Sequence, residues 1–187
     1  KSGEFGMNKK GMGIGQVFIF IVAAITFALI MIFGYKTVSD FIDSGNEVAF
    51  VQFKTDLEKS VKKIYTEYGS IRIENYNIPG NFEQICFVDM NYNYDPGELQ
   101  ELCDFDQAAC DIWEQAKEEG GYSFVDQNVF LKPQAKVPIK VYEISVYDEK
   151  TEENIGFLCE KIYGGTFSVV LEGKGDKTEV SKAGLQS

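Results

Sequence analysis

The sequence predicts an α+β protein, with an N-terminal transmembrane helix continuing into an amphipathic helix packed on an antiparallel β-sheet. Three observations carry this expectation. Val17 to Phe33 (VFIFIVAAITFALIMIF) contains a single polar residue, Thr26. Phe50, Phe53, Leu57, Val61, Ile64 and Tyr68 then recur at spacings of three and four, the period of one helix face. Beyond Gly69 the period falls to two, in short apolar segments separated by turn residues.

The 187 residues suit one membrane segment and one soluble domain of ordinary size. Residues 1–6 precede Met7, and Glu4-Phe5 is what a common cloning site encodes, so they are expected to be a vector remnant. Residues 7–13 form a short basic N-terminus. Ile14 to Tyr35 gives 22 residues, roughly 33 Å of helix and enough to cross a bilayer core. The apolar run is longer than the core of a cleaved signal peptide. No small-x-small site follows it, the next residues being Gly34-Tyr35-Lys36-Thr37-Val38. Lys9 and Lys10 precede the span, while Lys36 is soon followed by Asp40, Asp43 and Glu47. The positive flank stays in the cytoplasm, which places the chain as a single-pass protein of the cell membrane, its 36–182 domain extracellular.

After the span, Val38, Phe41 and Ile42 continue an apolar face. Ser44-Gly45-Asn46-Glu47 has the form of a capping box and marks an expected kink or restart. The Phe50–Tyr68 stripe leaves Lys54, Glu58, Lys59, Lys62, Lys63 and Glu67 on the other side. Ile71 and Ile73 alternate with Arg72 and Glu74, and Ile78-Pro79-Gly80-Asn81 supplies a turn. Further strands are expected at Gln84–Val88, Ser123–Leu131, Val137–Tyr147, Gly156–Ile162, Thr166–Glu172 and Thr178–Val180. Gly164-Gly165 reads as a two-residue hairpin turn, and Gly173-Lys174-Gly175-Asp176-Lys177 as another. In Val137–Tyr147 the alternation changes phase between Val141 and Tyr142, which predicts a bulge. Residues 91–121 are a polar insertion whose second half, Asp106–Lys117, reads as a helix presenting Ala109, Ile112, Trp113 and Ala116. The tail at 183–187 is native or a second remnant.

From Lys36 onward there are 15 basic and 28 acidic residues, a balance of −13. Such a domain is repelled by phosphate backbones, so nucleic acid is not an expected partner. The chain has no histidine, which removes the commonest general base and the commonest metal ligand. The four cysteines, Cys86, Cys103, Cys110 and Cys159, fall on the expected outer side and predict two disulfides. Three pairings are possible. The expected one is Cys103–Cys110, closing a loop in the insertion, with Cys86–Cys159 tying two core strands. The alternative, a metal–cysteine site, has neither a CxxC pair nor a suitable spacing.

Asp89-Met90-Asn91-Tyr92-Asn93-Tyr94-Asp95 sets oxygen ligands at Asp89, Asn91, Asn93 and Asp95, alternating as in the first half of a calcium loop. Tyr94 stands where the turn glycine belongs and Gln100 where the bidentate glutamate belongs, so an ordinary solvated loop is the competing reading. Gly173–Thr178 resembles a phosphate loop faintly, without its spacer, and reads better as a turn. Tyr92, Tyr94, Trp113 and Tyr122 form either a binding surface or ordinary turn aromatics. With 29 acids in the chain, no carboxylate pair stands out as an acid/base couple. No catalytic residue, resident metal or cofactor is expected, and the chain is not read as an enzyme.

Lys9-Lys10-Gly11-Met12-Gly13-Ile14-Gly15-Gln16-Val17-Phe18-Ile19-Phe20-Ile21 resembles the N-terminus of archaeal type IV pilin-like proteins and archaellins. The shared features are two lysines and a glycine, a small-residue stretch, and an aliphatic, phenylalanine-rich helix. The resemblance covers about the first 30 residues after Met7 and implies a prepilin-type peptidase cutting after Gly11, or one residue earlier. Lys9, Lys10, Gly11 and Met12 would then be the processing residues, with Met12 first and Gln16 fifth in the mature chain. Many such proteins carry glutamate at that fifth place, and archaellin-like members do not all need it. The resemblance further implies that a helix including Gln16, Val17, Phe18, Phe20, Ala24, Ile30 and Phe33 is stored in membrane lipid and later packs against other copies in a filament, its head domain outward. The leading expectation is therefore a structural cell-surface subunit. The alternatives are a permanently anchored binding or adhesion domain and, more distantly, an anchored extracellular enzyme.

Overall fold

The computed structural model describes residues 14–79 and 82–184. It divides into two compact units, Lys1–Gly45 and Asn46–Ser187. Helix α1 is assigned over Ile14–Tyr65. The backbone is helical through Ser44–Glu47, so there is no helix start for the expected capping box. One mid-helix glycine costs only about 1 kcal/mol, too little by itself to end a helix this long.

In the second unit, strands β1 (Ile71–Asn77) and β2 (Gln84–Val88) are followed by helices α2 (Pro96–Phe105) and α3 (Gln107–Glu119). A 3₁₀ turn at Tyr122–Phe124 leads to β3 (Val129–Lys132), β4 (Ile144–Asp148), β5 (Glu153–Ile155), β6 (Phe157–Lys161), β7 (Thr166–Gly173) and β8 (Thr178–Lys182). These strands form two sheets, ordered β1-β7-β8-β4-β5 and β3-β2-β6. The α+β class holds, but the single antiparallel sheet does not: β4 and β8 run parallel, with Val146 opposite Val180. A period of two fixes which side chains share a face; it leaves partner and direction open.

Phe53, Leu57, Val61 and Ile64 of α1 pack into a core with Tyr76, Phe167, Val169, Leu171 and Val180 of the larger sheet and Ile85, Phe87 and Leu131 of the smaller. Tyr68, expected on the same stripe, lies beyond the helix end and is exposed. The opposite face of the smaller sheet, through Cys86, Val88 and Phe130, packs with α2 and α3 around Trp113. In β1 the buried Tyr76 fixes which face turns inward, so Arg72 and Glu74 share its side while Ile71 and Ile73 face solvent.

Several expected strands are shorter or differently placed. Ser123–Leu131 resolves into the 3₁₀ turn and β3 alone. Val137–Tyr147 yields β4 only from Ile144, with no bulge. Upstream, Ile139 makes one isolated bridge to Val129, and the fully buried Asn128 substitutes for a ladder. Its Oδ1 accepts from the Val141 N–H at 2.8 Å, and its Nδ2 donates to the Val141 carbonyl at 3.3 Å. That side chain satisfies backbone groups otherwise stranded in the core. Gly156–Ile162 begins one residue later as β6, preceded by β5, which the pattern missed. Gly164 and Gly165 do form a tight turn, with φ of 59° and 77°, bridged by Tyr163 and Thr166. Its flanking strands belong to different sheets, so the turn moves the chain between layers and does not close a hairpin ladder.

Candidate functional site

The most distinctive surface of the first unit is the helix segment Val17–Ser39, 23 residues, none of it buried, with a mean hydropathy of 2.9 over its most apolar 18 residues. By length and composition it is apt to cross a membrane. Phe18, Ile19, Phe20 and Ile21 are successive and all exposed, and at 100° per residue they sample the whole circumference. Val17, Ala24, Ile30 and Phe33 are exposed as well. A helix apolar all round has no solvated side and needs lipid or protein about it. Its two threonine hydroxyls are satisfied internally: Thr26 Oγ1 donates to the Val22 carbonyl and Thr37 Oγ1 to that of Phe33, each at 2.8 Å. That is the arrangement required where water is absent. Lys9, Lys10, Gly11 and Met12 lie outside the described residues, as does the side chain of Gln16.

In the second unit two disulfides are formed. Cys86 and Cys159 face each other directly across β2 and β6, and Cys103–Cys110 joins α2 to α3. The insertion contains two helices, where the sequence pattern gave one. Asp95 accepts from the N–H groups of Gly97 and Glu98, and Glu98 accepts from the Asp95 N–H, with Pro96 opening the helix. Asp-Pro-Gly-Glu is thus a complete capping box with proline at N1, the signal that could have revealed α2.

Asp95 spends one carboxylate oxygen on that cap. Asp89 Oδ1 accepts from the Asn91 N–H at 2.9 Å, while Asn91 donates to Glu143 Oε1 at 2.6 Å and accepts from the Tyr122 N–H at 2.9 Å. Asn93 is exposed. The string's oxygens thus have separate partners: Asp89 and Asp95 serve local turns, while Asn91 reaches Tyr122 and Glu143. Burial raises the Asp89 carboxyl above its ordinary range, against the N–H of Asn91 and the charge of Lys177, which lower it. Among the described residues, Cys110, Asp111 and Glu114 bring potential metal ligands together. The Cys110 sulfur is committed to its disulfide, which leaves two exposed carboxylates.

Of the insertion aromatics, Trp113 and Tyr94 turn into the core, while Tyr92 and Tyr122 are partly exposed. Trp113 is fully buried, donates from Nε1 to the Asp89 carbonyl at 2.9 Å and packs 4.2 Å from the nearly buried Tyr94 ring. Tyr122 donates its hydroxyl to the Val141 carbonyl at 2.9 Å. The faint phosphate-loop string is the β7–β8 turn. Burial lowers the Lys174 ammonium, but its bonds to Glu172 and Glu179, both at 2.9 Å, prevail and hold it above its ordinary range. Its charge is already neutralised. Thr178 is turned inward onto α1. The chain matches no protein-family model, no curated protein and no solved structure.

Proposed function

We propose that this chain is an archaeal pilin-like cell-surface subunit, inserted N-terminus in and held by the helix beginning at Ile14, its disulfide-bonded domain outside. After removal of the residues up to Lys10 or Gly11 by a prepilin-type peptidase, the same helix would pack with other copies in a filament. The observation that carries this reading is the 23-residue segment Val17–Ser39, none of it buried and apolar on every side over Val17–Phe33. Such a surface serves both states, since it is as well covered by lipid as by identical neighbours. The Lys9–Ile21 pattern supports the processing step. Two disulfides and the absence of free cysteines among the described residues support an oxidising location.

The test is the intact mass of untagged protein purified from its native host membrane. A chain beginning at Gly11 or Met12 is expected. A chain beginning at Met7, or at Asn8 after methionine removal, would favour the permanently anchored binding domain.

A further inference from the structure

Among the strands that end a sheet, β5 has three residues, β3 has four and runs directly into Pro133, and β6 ends on Glu160-Lys161. Short length, proline and charge are the usual protections of an exposed edge. β1 differs: it has seven residues, with no proline, lysine or bulge, and its two charges, Arg72 and Glu74, are opposite in sign. Among the described residues, no main-chain hydrogen bond leaves β1 on the side away from β7. Its solvent face carries Ile71 and Ile73, 64% and 52% exposed. Clefts flank it on both faces, one of about 930 Å³ beside Ile73 and Asn75 and one of about 460 Å³ beside Glu74 and Tyr76. Free main-chain groups with open space on both faces are what an added strand requires.

We infer that β1 pairs antiparallel with β1 of a second copy, in the register centred on Ile73. A twofold pairing of one strand with itself places some residue opposite its own copy. Centring on Arg72 or on Glu74 would set like charges face to face. Centring on Ile73 sets Ile73 against Ile73, Arg72 against Glu74 on both sides, and Ile71 against Asn75. The strand is therefore self-complementary in charge in this register. Arg72 already donates to Glu67 at 2.6 Å, which holds the guanidinium beside the edge with donors to spare for Glu74 of the copy. This inference concerns only the Asn46–Ser187 unit and does not depend on filament assembly.

The experiment uses the full chain in detergent. Under mild oxidation Ile73→Cys is expected to give a disulfide-linked dimer, while Ile71→Cys, whose partner is Asn75, remains uncrosslinked. In sedimentation equilibrium Arg72→Glu and Glu74→Arg should each weaken dimerisation about tenfold or more, and the double charge swap should restore it. A chain that stays monomeric up to about 100 μM overturns the inference. So does a dimer that ignores both charge reversals and forms no 73–73 crosslink, the result if copies associate through the apolar helix instead.

Discussion

The Thr178 hydroxyl donates to the main-chain carbonyl of Val61 at 3.0 Å, sealed from solvent, and so ties the first residue of β8 to α1. The two residues are 117 positions apart, and both lie in the second unit. Replacing Thr178 with Val keeps the shape and removes the bond. We expect a loss of about 1 kcal/mol, read as a lower urea midpoint with an unchanged slope. An unaltered midpoint would show that the bond contributes nothing net.

Gly173 sits where a side chain has no room. A Cβ there would run into the carbonyl oxygens of Ile64 and Glu67 at the end of α1. The main chains are also linked, Gly69 N–H to the Gly173 carbonyl at 2.8 Å and Gly173 N–H to that of Ser70 at 2.9 Å. Gly173→Ala should therefore destabilise the domain by about 1–3 kcal/mol, seen as a lower Tm by circular dichroism. Wild-type stability in that variant would mean that the helix end yields freely.

Ala24 lies within the apolar segment and is exposed. A carboxylate at the centre of a membrane helix costs about 2.5–3.5 kcal/mol on insertion scales. Ala24→Asp should reduce recovery of the chain in the carbonate-resistant membrane fraction, and Ile30→Asp should do the same. Normal integration of both would remove the basis for a spanning helix.

Asp89 gives a pH signature. Its carboxyl is raised by burial, so the folded state binds the proton more tightly than the unfolded chain. The associated stabilisation is present below the unfolded value, about pH 4, and is lost as pH rises through the folded one. Asp89→Asn should flatten the fall in stability above about pH 4. The readout is the urea midpoint of both proteins across that range; parallel profiles would assign the pH dependence to other groups.

The parts legible in the sequence were those whose signal is local and dense. The apolar run of Val17–Phe33, broken only by Thr26, and the 3–4 spacing of Phe53, Leu57, Val61 and Ile64 each report one helix and its surroundings. The β7–β8 turn at Gly173–Lys177 could be read because its residues are close in sequence. Helix α2 was equally local, in Asp95-Pro96-Gly97-Glu98, but the alternating oxygens from Asp89 to Asp95 invited a ligand reading of a capping residue. Trp113 and Tyr94 looked like surface aromatics because nothing near them in sequence shows Cys86, Val88 and Phe130 closing over them.

By itself, then, the sequence determined the apolar helix, the amphipathic stripe and the α+β class, since burial periodicity is set residue by residue along the chain. Only the tertiary structure decided that there are two sheets, that β4 and β8 run parallel, that Asn128 replaces a ladder, and that β1 turns its isoleucines outward. Each of those outcomes depends on partners tens of residues away. A strand's pattern specifies one face, but the competition among all the strands decides which neighbour covers it and which edge stays open.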